Sequence, residues 1–412
     1  MTHAILVLGA GMVGTCTALH LQQRGFDVVL VDRRAPGQET SMGNAGLIQR
    51  EAVEPYAFPR EPEFLLHAAW GRGAQVHWHA QGLWQMAGAL RRYFKHSGPA
   101  LHARATQAYS RLIAHATHEH AELMRAAGAQ ALARQEGFRL VFRTPQAMDA
   151  ALHRASDLHD RFGVRYQAQN PHQLAQAEPG LRMPLAGALH WLDPWAVHDP
   201  GALVQRYADL LVARGGLLLT GDAGSLQPEG LGWSVQTSQG RMRAEQAVLA
   251  LGPWADRLIR TLGYRFPLFV KRGYHQHYRP PVGLRQPVLD AESGYVLAPM
   301  VRGLRLTTGA EFAPVDAPAT PVQLTKAEAL ARQLLDLGEA LPEPPWLGSR
   351  PCTADMLPVM GPAPRHKGLW FNFGHAHQGC TLGPVAGRLL AEMLHGQRTW
   401  IDPAPYLPSR FD

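Results

Sequence analysis

The chain has little cysteine, little lysine and no long apolar run. Its three cysteines, Cys16, Cys352 and Cys380, stand far apart without C-x-x-C spacing. That excludes a disulfide framework and fits a reducing compartment. No stretch reaches eighteen consecutive apolar residues, so no segment reads as a membrane-spanning helix. No basic n-region or cleavage site precedes the apolar run at Ala4, and no secretory signal is expected. Lysine occurs only at Lys95, Lys271, Lys326 and Lys367, so the net charge of +7 comes almost wholly from arginine. The arginines are scattered, which argues against a nucleic-acid-binding stripe. Two uses remain: attracting anionic small molecules, or resting on an anionic membrane surface. Leu90-Arg91-Arg92-Tyr93-Phe94-Lys95-His96 has the composition of a surface anchor and equally that of a solvated helix end. Three His-x-His pairs (His77/His79, His275/His277, His375/His377) lack a third ligand at a telling distance, and no metal site is expected. At 412 residues, 46% hydrophobic and 18% charged, the chain fits a folded enzyme of two domains.

What is present begins at the N-terminus. Residues 5–33 read as a strand, a glycine turn, a helix and a second strand that ends on an acid. The turn is Gly9-Ala10-Gly11-Met12-Val13-Gly14. Gly9 makes the bend, Gly11 lets backbone approach a pyrophosphate, and Gly14 lets the helix pack closely on the strand. The helix N-terminus, with free N–H groups and positive partial charge, favours phosphate. Asp32 stands eighteen positions after Gly14, near the distance at which an acid meets ribose hydroxyls. Arg33 is expected to lie over the adenine or face solvent, because Asp32 would repel a 2′-phosphate. With no second fingerprint for NAD, a resident FAD is favoured.

A small-residue loop follows, Glu39-Thr40-Ser41-Met42-Gly43-Asn44-Ala45-Gly46-Leu47, which lets backbone approach a flat ligand. Residues 62–135 are mostly helical by pattern, including 108–127. Strands are expected at 138–142, 188–192, 217–220, 233–237, 247–251, 268–271, 275–278, 295–299, 304–308 and 369–373. Asp199 caps a helix opened by Pro200. Further helices are expected at 325–341 and 384–394. The expected fold class is α/β, with a discontinuous Rossmann-like FAD-binding domain and an α+β substrate domain on a mixed or antiparallel sheet. The FAD-binding domain takes 1–65, 197–262 and 347–400, and the substrate domain takes 66–196 and 263–346.

These motifs resemble the FAD-dependent D-amino-acid oxidase/glycine oxidase superfamily, and within it the bacterial D-amino-acid dehydrogenase branch, including D-hydroxyproline dehydrogenases. The likeness is most specific in the fingerprint, the Thr40–Gly46 loop, the turn Leu249-Ala250-Leu251-Gly252-Pro253-Trp254-Ala255 and two C-terminal motifs. One of these, Arg350-Pro351 followed by Thr353-Ala354-Asp355-Met356-Leu357-Pro358, is similar to the family's Arg-Pro segment. The resemblance implies that Arg350 forks onto the substrate carboxylate, with pairing to Asp355 or to carbonyls as the structural alternative. The other, Gly374-His375-Ala376-His377-Gln378-Gly379-Cys380-Thr381, resembles a turn beside the flavin pyrimidine. Tyr295, opening Tyr295-Val296-Leu297-Ala298-Pro299, is similar to a substrate-reaching tyrosine, and Tyr274 competes for that role.

The resemblance therefore implies Arg350, Tyr295, His377 and Tyr274 as catalytic residues. It implies flavin contact through Gly9, Ala10, Gly11, Met12, Val13, Gly14, Asp32, Arg33, Ser41, Asn44, Ala45, Gly46, Leu47, Ala250, Gly252, Trp254, Gly374, His375, Gly379 and Thr381. FAD is expected to be non-covalent, since Cys352 does not fall on the family's attachment position. His377 stands where some relatives carry a second arginine, which suggests a neutral or weakly polar side-chain pocket. The implied activity is oxidation of the CH–NH group of an amino acid, by hydride transfer from Cα to flavin N5. The imino acid hydrolyses to a keto acid and ammonia, and electrons pass to a quinone or other carrier. An oxygen-using oxidase or N-demethylase, or an electron-transfer subunit, are the alternatives. No nucleic-acid partner is expected, the oligomeric state is open, and the location is cytoplasmic with peripheral contact at the inner membrane face left open.

Overall fold

The computed structural model describes residues 4–70 and 74–411. Two large sheets organise the chain. The first has eight strands in the order Gly240–Ala244, Gly232–Thr237, Leu217–Glu229, Asp27–Asp32, Ala4–Leu8, Gln246–Leu249, Leu369–Phe373 and Val359–Pro362. Its centre is parallel and reads as unbroken apolar sequence, because both faces are covered. On one face the helices Met12–Gln22 and Gly379–His395 pack together. An added Cβ at Gly387 would come within 2.8 Å of the Cys16 backbone, so the close approach depends on glycine.

The second helix holds Pro384 in its interior. A proline there offers no N–H to the carbonyl four residues back. That carbonyl, Cys380 O, is met instead by His120 Nε2 at 2.8 Å.

The second sheet has eleven strands and is mixed. Its spine is the continuous strand Leu268–Arg279, where two short strands were expected. Gly273 does not break it: Gly273 pairs in register with Gly348 on the antiparallel strand Trp346–Thr353. The same register sets Lys271 directly opposite Arg350. Behind this face Arg272 and Glu311, both fully buried, form an ion pair at 2.6 Å. A three-stranded sheet (Leu47–Ile48, Trp195–Val197 and Ala133–Arg134) adjoins them.

A division at 347 would cut Trp346–Thr353, which belongs to the second sheet. The expected helix at 108–127 is two helices, Pro99–Ile113 and Ala116–Ala126. They pack on the C-terminal helix of the first sheet, with Arg388 paired to Glu119 at 2.7 Å. The expected helix at 325–341 ends at Leu334, because Leu335 turns extended and bridges Leu181. At the basic stretch near 90–96, Arg91, Arg92 and Lys95 are exposed while the Tyr93 hydroxyl is held by Tyr56 O. No described helix is long and apolar enough to cross a membrane.

Candidate active site

A cavity of about 1060 Å³ is lined by residues of both sheets. That volume exceeds the usual small-ligand pocket and admits a dinucleotide beside a second small molecule. At one end lie Gly9, Gly11, Met12, Val13, Asp32 and Arg33, together with Ala250, Gly252 and Trp254. Gly9 has φ +108°, and a Cβ there would meet Ala250 O at 2.5 Å, so only glycine makes this turn. Asp32 Oδ2 accepts the Ala10 N–H at 2.6 Å, which ties the acid to the glycine turn. Ser41 Oγ accepts the Met12 N–H at 3.0 Å and brings the small-residue loop over the helix start. Arg33 lies 4.4 Å above the Trp254 ring and pairs with Glu39 at 2.7 Å.

The loop carrying Ser41, Asn44, Ala45 and Leu47 is clamped from the second sheet. Buried Arg305 donates from Nη1 to Met42 O at 2.8 Å and to Asn44 O at 2.5 Å, and from Nε to His277 Nε2 at 3.1 Å. Burial lowers the Arg305 pKa to about 10. This residue was not anticipated from sequence, since its role is to join segments far apart in the chain.

At the other end Gly374, His375, His377, Gly379 and Arg350 line the wall. The Arg350 guanidinium lies over Gly273: a Cβ at that glycine would meet Nη1 and Nη2 at 2.6 Å. It donates to Gly309 O at 2.9 Å, Thr308 O at 3.3 Å and Arg272 O at 3.4 Å. Asp355 is engaged elsewhere, by Arg410 at 2.6 Å. Burial lowers the Arg350 pKa. Burial also drives His375 down to about 3 and His377 well below its ordinary value, so both rings are neutral at working pH. A base that weak does not hold a proton taken from an amine. His375 Nε2, His377 Nδ1 and Asn372 Oδ1 are buried without a hydrogen-bond partner.

Two expected residues lie elsewhere. Tyr295 does not line the cavity; Val296 does. Alternation along the strand turns Tyr295 to the opposite face, toward Asp290 and Arg143. Tyr274 is likewise turned away, one residue beyond wall residue Gly273. Its hydroxyl donates to Glu311 at 3.0 Å and accepts the Thr320 N–H at 2.8 Å. Ala10, Gly14, Gly46 and Thr381, expected as flavin contacts, are not among the residues that line the cavity. Thr381 Oγ1 donates to Gln378 Oε1 at 2.6 Å.

Lys271 is a charged wall residue that was not anticipated from sequence. A lone lysine two residues before a strand glycine was the available signal. His77 and His79 acquire a third neighbour in Glu311, their ligand atoms lying within 4.8 Å of one another. The Glu311 oxygens are already taken by Arg272, Tyr274 and Thr320.

The wall's features fit FAD. The glycine turn and helix start suit a pyrophosphate, Asp32 suits a ribose, and the unpartnered polar atoms near His375 suit a ring with polar edges. Residues 4–393 match the family model described as FAD dependent oxidoreductase. The chain is 30% identical over 428 residues to a D-amino acid dehydrogenase of Granulibacter bethesdensis, covering 99% of each. It is 30% identical over 407 residues to a D-amino acid dehydrogenase of Xylella fastidiosa, covering 95% of this chain and 91% of that one. Glycine oxidase from Geobacillus kaustophilus shares the fold, with a TM-score of 0.73, 23% identity and 98% of each chain covered. The glycine turn, the acid at its second strand and a match spanning nearly the whole chain together make this protein a member of the FAD dependent oxidoreductase family, an enzyme with FAD as its cofactor.

Proposed function

We propose that this enzyme oxidises the CH–NH group of a D-amino acid or D-proline derivative. The observation that carries the reading is Arg350, a half-buried cation in the cavity wall paired with no carboxylate among the described residues. A guanidinium has five donors in a planar fork that matches a carboxylate. Three backbone carbonyls hold Arg350 in place and leave it donors for substrate. Binding the α-carboxylate there fixes the substrate's Cα, and such positioning supplies several kcal/mol of a barrier, on the order of 7–11 at best. The cationic, water-poor wall disfavours an ammonium and keeps the substrate amine neutral. Bound FAD supplies the acceptor for the two electrons. The imino acid from an open-chain amino acid hydrolyses to a keto acid and ammonia, whereas a proline derivative gives a cyclic imine that keeps its nitrogen, and a quinone or other carrier reoxidises the enzyme.

FAD is held non-covalently in this reading. Cys380 lines the cavity, but burial pushes its thiol up to about 12, and Cys352 is also raised by burial. A protonated thiol is a poor nucleophile. Contact with an anionic membrane would use the exposed face bearing Trp84, Arg91 and Lys95.

The test is a panel of D- and L-amino acids, proline analogues and N-methyl amino acids, assayed with a dye and with oxygen. Arg350→Ala is expected to raise KM about tenfold to a hundredfold, the value of a charged hydrogen-bonded contact, while FAD stays bound. An unchanged KM would move the clamp elsewhere. Stoichiometric peroxide in air would replace the quinone by oxygen, and formaldehyde release would mark an N-demethylase.

A further inference from the structure

Lys271 and Arg350 are opposed on neighbouring antiparallel strands, so both side chains leave the same face of the sheet. Like charges opposed in this way repel. Neither is paired with a carboxylate among the described residues, and each has only neutral company. Lys271 is 8% exposed, and its Nζ donates to the Tyr93 hydroxyl at 3.1 Å. It lies 4.7 Å from the Tyr93 ring centre, 5.7 Å from that of Phe269 and 5.9 Å from that of Phe312. Rings attract a cation without neutralising it. The acids of the cavity wall, Asp32, Glu39 and Asp222, are engaged with Ala10, Arg33 and Gly224.

The two cations also diverge. The guanidinium lies over Gly273, whereas the ammonium lies among the rings of Tyr93, Phe269 and Phe312. Each head keeps N–H donors that its neutral neighbours do not use. Two carboxylates joined by a short carbon chain would give each cation a partner of its own.

We infer that Lys271 receives a second carboxylate, so that the substrate is an amino dicarboxylic acid with its α-carboxylate on Arg350 and its side-chain carboxylate on Lys271. This rests on the proposed role of Arg350. It replaces the neutral side-chain pocket expected from His377: the second cation comes from the spine strand, where no family motif points. Burial and the neighbouring Arg350 lower the Lys271 pKa, and an arriving carboxylate favours its charged form.

The test uses the purified, flavin-loaded enzyme. Values of kcat/KM are measured for D-glutamate and D-aspartate against D-glutamine, D-asparagine and D-alanine. Calorimetry compares glutarate with butyrate. Each acid is expected to exceed its amide by about tenfold or more, and glutarate to bind tighter than butyrate by a similar factor, as for a charge-assisted contact. Lys271→Met brings both ratios near one, and Lys271→Arg retains part of each. A wild type that turns over D-glutamine or D-alanine as readily as D-glutamate, and binds butyrate as well as glutarate, overturns the inference while leaving amino-acid oxidation intact. Those wild-type ratios decide the matter even where Lys271→Met does not fold. Lys271-dependent glutarate binding without turnover of any amino acid does the reverse: the two-anion site stands and the proposed oxidation fails.

Discussion

Gly273→Ala tests the carboxylate clamp without touching its arginine. The φ of Gly273 is not positive, so alanine adds no backbone strain. The three atoms nearest an added Cβ are Arg350 Nη1 and Nη2 at 2.6 Å and Cζ at 2.9 Å. Ordinary contact begins near 3.4 Å, so the guanidinium must retreat by about 0.8 Å, at the expense of its hydrogen bond to Gly309 O. One such bond from a charged group is worth about 1.5–3 kcal/mol, so the thermal midpoint of a chain this long should fall by only a few degrees. The effect on turnover is larger, because misplacing a positioning group by about 1 Å costs up to about a hundredfold. Steady-state kinetics on the preferred amino acid should show a drop in kcat/KM of about ten- to a hundredfold, with FAD retention near wild type. In the Arg350→Ala background the same substitution should cost almost nothing more, since the two act through one group. An unchanged kcat/KM for Gly273→Ala, or an additive loss in the double variant, would refute a clamp held in this orientation.

Two further predictions follow from buried groups. Arg305→Met strands the carbonyls of Met42 and Asn44 and frees the loop over the flavin end. It should destabilise the protein by about 2–4 kcal/mol and shorten FAD retention on gel filtration, whereas a wild-type flavin off-rate would exclude the clamp role. Burial raises Glu51 to about 7, above its ordinary 4.5, so the folded chain holds this proton where the unfolded chain releases it. Stability from this group is full below pH 4.5 and lost as pH rises through about 7, on the order of 3 kcal/mol. Glu51→Gln should flatten that part of the melting profile between pH 5 and 8, and an unaltered slope would assign it to other groups.

Much of the fold was legible because its signals are local. The strand–turn–helix around Gly9, the Asp199 cap and the strands at 138–142 and 369–373 depend on neighbours within one element, and each appears at or near its expected bounds. The C-terminal motif pointed to Arg350, which lines the cavity. The tyrosines show where that kind of reading stops. Tyr295 and Val296 differ only in pleat parity. Both parities of the strand carry apolar side chains, so neither position has a polar mark that says which one meets the cavity. Tyr274 fails for the same reason beside Gly273. Lys271 and Arg305 fail for another: what each does is decided by register and by loops far along the chain, through partners such as Arg350, Tyr93, Met42 and Asn44. A strand with both faces covered hides its functional face from periodicity. In such a strand the exceptional residue is the better guide, here a lysine and a glycine two positions apart. The lysine brings a charge that burial makes costly, and the glycine gives up a side chain to make room for another charge.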